Sequence, residues 1–582
     1  MVRSEAKITM HLLPLLLLAP TAALSYAAGP ATLSAKAWFS SISHPSPHGW
    51  PEQEDATLMR KPNVGVAISG GGSRSYLCAL GYLRAMTDLG LMKKARYISG
   101  VSGGAWATAV YTYFQSSQTG VADTEEELLG EILQPGESTL ARLSEMNDSC
   151  ARKATTHDFY TNLVGNFFIY KTLPSAWFHQ VHSQFINPIG IGINTSFTWN
   201  ASTLADILRR NPSLSADDFV LPASPDRPYP LFVTTLEGPV EASPFPELKR
   251  EFIGYDVTPL YLGLHELGNR TFPKYGGGPA ITKLLGGMIE PFAFGGDAPA
   301  SGLHEPHGIL DVPYSKLYTL NEAAASSSYF LGGAVTTLGP LPFRRADKLG
   351  IVYPMWPVAD ARGRPPTTDM IVSDGGCVVQ PDLIGMIKRN VSSIVALFNL
   401  EIPLVAKEKW DPTQRAPTEA DVDNDFPAFF GFSKDDLTEL GYDLHRNQIF
   451  AQEDFVDVAV GLQEAQATGR GAVTQSTHTT VENAFWGVPA GIRVMVTWVY
   501  LSRATEWEQA LPDEVRRKFP KDPSPDVLPG ADAGFGWLNF PNFNTFTQLT
   551  IPAQAGNALS NLCGWVVQQN VALFQKAFEA GV

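Results

Sequence analysis

Along the first part of the chain, apolar and small residues fall into two periods that alternate. Val64, Val66 and Ile68 mark a short buried strand up to Ser69, and Gly70-Gly71-Gly72 breaks it. Tyr76, Leu77, Leu80, Leu83, Ala85 and Met86 then keep helical spacing as far as Gly90. Arg96 to Ser99 reads as a second strand running into Gly100-Val101-Ser102-Gly103-Gly104, and Trp106, Ala109, Val110 and Tyr113 continue as a helix. Strand, glycine turn and helix, given twice, predict an α/β fold with a central, mostly parallel sheet flanked by helices.

Further buried strands are expected at Leu231 to Leu236, Met370 to Ser373, Ile394 to Phe398 and Arg493 to Leu501, with a short helix from Pro381 to Arg389. Gly- and Pro-rich connections separate them, and no internal repeat is visible. The most acidic connection, Asp411 to Pro427, mimics a calcium loop through Asp421, Asp423 and Asp425. Phe426 stands where the turn glycine belongs and Phe432 where the bidentate Glu belongs, so a solvated acidic loop is the expectation. The aromatic stretch Asn166 to Phe185, with Phe167, Phe168, Tyr170, Trp177 and Phe178, suits either core or an apolar lid or interfacial surface.

Composition narrows the class. Of 582 residues, 44% are hydrophobic and 17% charged, which excludes a disordered chain. The net charge is −15, and the longest basic run is Arg516-Arg517-Lys518, so a nucleic-acid partner is not expected. At roughly 150 residues per domain the length alone suggests about four units.

Met1 to Gly29 combines Arg3 and Lys7, an apolar stretch from Met10 to Leu24 and small residues at Ser25, Ala27 and Ala28. That is the build of a secretory signal. Pro14, Pro20 and the short apolar length argue against a membrane anchor. The expected organisation is a signal peptide at 1–27, an extended arm without sustained period at 28–61, and a single large domain at 62–582, in a secreted or lumenal protein. Sequons at Asn147, Asn194, Asn200, Asn269 and Asn390 fit that compartment. No pair among Cys78, Cys150, Cys377 and Cys563 has zinc-ligand spacing. Cys150 and Cys563 are the expected disulfide, because the other two lie in the elements with candidate chemistry.

Three motifs carry that chemistry. Ser102 stands between glycines at a strand-to-helix turn, where a strained elbow lifts a hydroxyl clear of the backbone. Gly70-Gly71-Gly72 leaves N–H groups free to face an anion. Arg74, in the first turn of the next helix, implies a nearby anion such as a substrate phosphate, or a structural salt bridge. Ser373-Asp374-Gly375-Gly376 puts an acid at a strand end, where catalytic groups gather in open α/β sheets.

Together these motifs resemble the catalytic domain of the cytosolic phospholipase A2 and phospholipase B (lysophospholipase) family, related to patatin-like acyl hydrolases. The likeness lies in Ser69-Gly70-Gly71-Gly72-Ser73-Arg74, Gly100-Val101-Ser102-Gly103-Gly104-Ala105-Trp106, and Asp374-Gly375-Gly376 with Gln380, Leu383, Arg389 and Ile394. Weaker echoes are Glu251-Phe252 with Thr258-Pro259 and Gly263, and Phe540-Pro541-Asn542-Phe543-Asn544-Thr545. The resemblance implies that fold with large insertions or a lid, and a Ser-Asp dyad. Ser102 would be the nucleophile, Asp374 the base, Gly71 and Gly72 the oxyanion hole, and Arg74 a substrate-binding or steadying group. It implies a phospholipid or lysophospholipid substrate at a membrane or micelle interface, with no cofactor and no metal. Leu260-Tyr261-Leu262 and Asn399-Leu400 depart from the family's pattern and bear on substrate preference. The rivals are an α/β-hydrolase lipase using His445 or His478 as third member, and an inactive lipid-binding relative. The acidic charge favours zwitterionic over anionic lipid. Since Ser102 and Asp374 must meet across the intervening chain, one large domain is expected rather than four.

Overall fold

The computed structural model describes residues 31–38, 49–115, 124–145, 159–243, 252–274, 278–303, 307–330, 349–358, 363–432, 444–519, 537, 539–545 and 551–581. The expected signal segment, Asn147 and Cys150 lie outside them. Among the described residues, thirteen strands form one sheet. They are β1 (Ala31–Trp38), β2 (Val64–Ile68), β3 (Tyr97–Val101), β4 (Tyr229–Pro239), β5 (Ile253–Val257), β6 (Leu262–Phe272), β7 (Ile281–Ile289), β8 (His307–Tyr314), β9 (Ile351–Met355), β10 (Thr368–Asp374), β11 (Ser393–Phe398), β12 (Ala472–Thr479) and β13 (Arg493–Tyr500). The helices that matter below are α1 (Gly72–Asp88), α2 (Gly103–Tyr113), α3 (Phe159–Tyr170), α4 (Leu173–Val181), α5 (Leu320–Ser326), α6 (Leu383–Lys388), α7 (Asp454–Ala467) and α8 (Ala553–Gln569).

The centre of the sheet, in spatial order β4-β3-β2-β11-β13, is parallel. Antiparallel strands extend it on both sides, through β5, β6, β7, β1 and β8 on one flank and β12 on the other. The central strands read as apolar runs because both faces are covered. Val64, Val66 and Ile68 of β2 join one buried cluster with Val395 and Leu397 of β11, while Ala67, Ile394, Ala396 and Phe398 join the cluster on the opposite face. Among the described residues no helix is long and apolar enough to cross a membrane.

The stretch expected as an arm contributes a strand. β1 pairs along its whole length with β8 and at its end with β7. Leu33, Ala35 and Ala37 are buried, a period of two that the small alanines leave weak in the sequence. Farther along the same stretch, Glu52 and Asp256 of β5 grip the fully buried Arg389 at 2.9 and 2.8 Å, and its guanidinium lies 3.9 Å from the Trp50 ring centre. The Arg389 guanidinium also donates to the Tyr261 hydroxyl, which makes that departure from the family pattern part of the scaffold.

Two expectations are corrected. Cys563 of α8 is a free buried thiol in hydrogen-bond contact with Cys78 of α1, so the Cys150–Cys563 disulfide does not form. The packing of α8 on α1 decides this, and sequence separation gives no hint of it. The acidic connection is a loop, as expected, and is exposed over 413–416 and 418–420, but its later part is not solvated: Asp421 and Asp425 are buried, and Arg415 forms an ion pair with Asp421. No cluster of metal-ligating side chains occurs among the described residues.

Candidate active site

Ser102 and Asp374 meet because of how three strands share one edge. β3 runs parallel to the first half of β4, ending with Val101 opposite Val233. β10 runs antiparallel to the second half of β4, and its last residue, Asp374, lies opposite Thr234. The two strand ends therefore face each other beside consecutive residues of β4. Ser102 Oγ donates to Asp374 Oδ2 at 2.8 Å across 272 residues of chain.

Each partner is held by local chemistry. Ser102 adopts φ 53°, ψ −120°, a conformation that costs strain in a non-glycine residue and projects its side chain out of the turn. The chain turns tightly enough that a Cβ at Gly103 would lie 2.1 Å from the Gly72 carbonyl oxygen, so a glycine is required there. Asp374 Oδ1 accepts the Gly376 N–H at 2.8 Å. Ser102 is 9% exposed and Asp374 6%. Burial pushes the Asp374 carboxyl up to about 7, against the lowering effects of the Gly376 N–H and the Ser102 hydroxyl. An Asp poised there is a far better proton acceptor than one near its ordinary value.

The glycine loop lies against the nucleophile turn. A Cβ at Gly70 would be 3.1 Å from Ser102 Cβ. Gly71 and Gly72 take φ 123° and 51°, and their N–H groups donate to no acceptor among the described residues. They sit at the start of the 17-residue α1, whose dipole favours negative charge at that end. Arg74 is buried, and its guanidinium donates to the carbonyls of Asn399, at 2.8 Å, and Phe543. Of its two expected uses, this geometry serves the steadying one. Asn399 also donates its N–H to Ser69 Oγ at 2.8 Å and its side-chain amide to Ser75 Oγ at 3.1 Å. The second departure from the family pattern thus braces the loop, and the Phe540-to-Thr545 echo is brought beside it.

Ser327, just past α5, escaped the sequence reading. Its hydroxyl accepts the Ser102 N–H at 3.2 Å and donates to the Val233 carbonyl at 2.5 Å, while its own carbonyl accepts the Gly375 N–H at 3.0 Å. One residue thereby ties the nucleophile turn, β4 and the acid turn together. The only local signal is the serine run Ser326-Ser327-Ser328 after an apolar helix, and Ser328 Oγ in turn accepts the Trp106 indole N–H at 2.8 Å.

The two rival histidines do not reach this site through any described contact. His478 Nδ1 pairs with Asp454 Oδ2 at 2.9 Å and its Nε2 with Ser476 Oγ at 2.6 Å, on β12 at the far edge. His445 contacts Arg446. The aromatic stretch divides: Trp177 and Phe185 are buried, Trp106 stacking on Phe185 at 4.1 Å, whereas Phe168, Ile169 and Tyr170 at the end of α3 are exposed.

A parallel central sheet with a serine at a strand-to-helix elbow and a glycine loop at the adjacent strand end is an α/β arrangement that sets a hydroxyl beside free backbone N–H groups. Residues 66–208 match the family of patatin-like phospholipases. The chain is 26% identical over 190 residues to lysophospholipase 3 of Aspergillus fumigatus, covering 29% of each protein. It is 27% identical over 175 residues to a lysophospholipase of Kluyveromyces lactis, covering 26% of this chain and 25% of that one. The matches therefore span less than a third of these relatives' lengths. Among solved structures, human GIVD cytosolic phospholipase A2 aligns over 92% of this chain and 65% of its own at 14% identity and a TM-score of 0.42. The segment that carries the glycine loop and Ser102 is thus the one that matches the patatin-like phospholipase family, and lysophospholipases are among the proteins the chain is similar to.

Proposed function

We propose that this protein is a serine acyl hydrolase that cleaves fatty-acyl esters of phospholipids or lysophospholipids through a Ser102–Asp374 dyad. The observation that carries the reading is the 2.8 Å hydrogen bond from an elbow serine to a buried Asp whose carboxyl stands near 7. Asp374 takes the Ser102 proton as Oγ bonds to the ester carbonyl carbon. The negative charge that develops on the carbonyl oxygen faces the Gly71 and Gly72 N–H groups. Collapse breaks the bond to the lysophospholipid or glycerol oxygen, which leaves with the proton from Asp374. Asp374 then takes a proton from water as the water oxygen bonds to the acyl carbon, and gives it to Ser102 Oγ as the Oγ–acyl bond breaks and the fatty acid leaves.

Phe168, Ile169 and Tyr170 support a substrate held at an interface. Three consecutive large apolar residues exposed at one helix end are costly in water and suit insertion among lipid headgroups. The net charge of −15 favours zwitterionic surfaces. Signal cleavage near residue 27, secretion, glycans on some of the sequons and one catalytic domain over 62–582 complete the reading.

The test is incubation of purified protein with position-labelled phosphatidylcholine and lysophosphatidylcholine, alongside labelling by a serine-directed fluorophosphonate. Fatty-acid release and an adduct on Ser102 are expected, both absent in Ser102→Ala. A folded wild-type protein that forms no adduct at Ser102 points instead to an inactive lipid-binding relative. Phe168→Ser with Ile169→Ser should weaken sedimentation with phosphatidylcholine vesicles while leaving hydrolysis of a short soluble ester intact.

A further inference from the structure

We propose that Gln380 is a positioning residue of this site: its side-chain carbonyl holds the glycine loop against Ser102, and Asp425 sets the direction in which that amide points. The proposal rests on the hydrolase reading for its kinetic consequence, though not for its geometry. Gln380 Oε1 accepts the Gly70 N–H at 3.0 Å, and Gln380 Nε2 donates to Asp425 Oδ2. Asp425 Oδ2 offers lone pairs, so the amide nitrogen turns to Asp425 and the oxygen turns to Gly70. The reverse orientation would set the amide N–H groups against the Gly70 N–H, donor against donor.

The fit around that oxygen is close. A Cβ at Gly70 would lie 2.4 Å from Gln380 Oε1, and a Cβ at Gly376 would lie 3.2 Å from both Gln380 Oε1 and Asp374 Oδ1. One amide oxygen thus stands between the loop that faces the reacting carbonyl and the turn that carries the acid. With the Gly70 N–H engaged, Ser69 N–H on the Leu397 carbonyl and the Gly71 carbonyl accepting from Ser75 N–H, the loop's peptide planes are fixed on either side of Gly71. The N–H groups of Gly71 and Gly72 are left for an oxyanion. Asp425 is itself anchored: its N–H donates to Asp423 Oδ1 at 3.3 Å, and Asp423 Oδ2 accepts the Ile402 N–H at 3.4 Å. This gives the buried end of the acidic loop a use that its composition conceals.

The groups around Asp374 are Ser102 and the Gly376 N–H in direct contact, with Gln380 Oε1 beside them. Beyond Gln380 lie Asp425, Asp423 and Arg74. A carboxylate in place of the Gln380 amide adds a negative charge next to Asp374 and makes its deprotonation harder.

The full chain and its Gln380→Ala, Gln380→Glu and Asp425→Ala variants are compared in three measurements: hydrogen exchange of the 66–76 backbone without substrate, the rate of fluorophosphonate acylation of Ser102, and the pH profile of kcat/KM. Gln380→Ala should speed exchange in the loop and slow acylation by about a hundredfold, the size of losing an oxyanion donor, with KM little changed. Asp425→Ala should shift both in the same direction by a smaller factor. Gln380→Glu should move the rising limb of the pH profile to higher pH, which a purely structural contact would leave in place. Wild-type exchange and acylation in Gln380→Ala overturn the proposal while leaving the hydrolase reading intact. Should Gln380→Ala not fold, an unshifted limb in Gln380→Glu overturns it. A loosened loop in Gln380→Ala, together with a wild-type protein that takes no label, supports the positioning role and refutes the hydrolase reading instead.

Discussion

Several places among the described residues set a serine against an acid, Ser99 on Asp382 at 2.8 Å being one, and two others differ in what surrounds the serine. At the far edge of the sheet, Ser476, His478 and Asp454 form a Ser-His-Asp chain at 2.6 and 2.9 Å. At the meeting of β3 and β10, Ser102 and Asp374 touch directly, with no imidazole. Ser476 and His478 alternate on one face of a regular strand, and Ser476 Oγ already accepts the Trp498 indole N–H at 2.8 Å. His478 is boxed by Phe430, Phe450 and Trp498. Ser102 instead sits on a strained turn, with a glycine loop offering two N–H groups beside it. Residue types do not make a site; a strand end, a strained turn that projects the hydroxyl and oriented donors do.

The largest effect expected from that contrast is the loss of activity on touching the dyad. Ser102→Ala and Asp374→Asn should each lower phospholipid hydrolysis by about 10⁴-fold or more, as removal of a member of a nucleophilic unit does. Ser476→Ala and His478→Gln should leave the rate within about twofold. Equal losses at both serines, measured on folded protein, would erase the distinction.

Next comes the loop. A Cβ at Gly71 would lie 2.5 Å from Arg74 Nη2 and 3.1 Å from the Asn399 carbonyl oxygen, at φ 123°. Gly71→Ala should slow Ser102 acylation by about a hundredfold, read by fluorophosphonate labelling kinetics with circular dichroism as the control for folding.

The pH profile separates the two regions more gently. In the proposed mechanism Asp374 takes a proton only when ionised, so kcat/KM should rise with pH through a midpoint near 7. Its raised value also means that the folded state binds more protons than the unfolded state between about pH 4 and 7. That contribution to stability is full at acid pH and is lost as pH rises through 7. Asp374→Asn should therefore raise the melting temperature more at pH 8 than at pH 5; an equal shift at both would contradict the burial argument.

The smallest effect belongs to His478. Burial lowers its pKa, against the opposing pull of Asp454. The unfolded state then binds more protons, so this contribution is present above pH 6.5 or so and is lost as pH falls. His478→Gln should change stability by about 1 kcal/mol, more at pH 8 than at pH 5, and leave the kinetic midpoint where it was.

Much of the scaffold was legible because it obeys short-range rules. The two strand–turn–helix units, the later central strands and the short helix after Asp374 all lie within a few residues of where periodicity and glycine placement put them. Weak alternation in small residues hid β1, and a serine run gave little notice of Ser327. The buried Asp425, the Cys78–Cys563 contact and the task of Arg74 were illegible for a different reason: each depends on what arrives from far along the chain.

What the sequence determines by itself is the local geometry at each strand end. Glycines at 70–72 and at 100, 103 and 104 permit the backbone conformations that free the N–H groups and lift Ser102, and those permissions are set by neighbouring residues alone. Tertiary structure decides which acid meets that serine and in what state. Parallel pairing of β3 and antiparallel pairing of β10 on the same edge of β4 bring Asp374 across 272 residues. Burial there, with few hydrogen bonds to offset it, moves the carboxyl to about 7. Desolvation and strand pairing are properties of the assembled core, so no local pattern could have specified them.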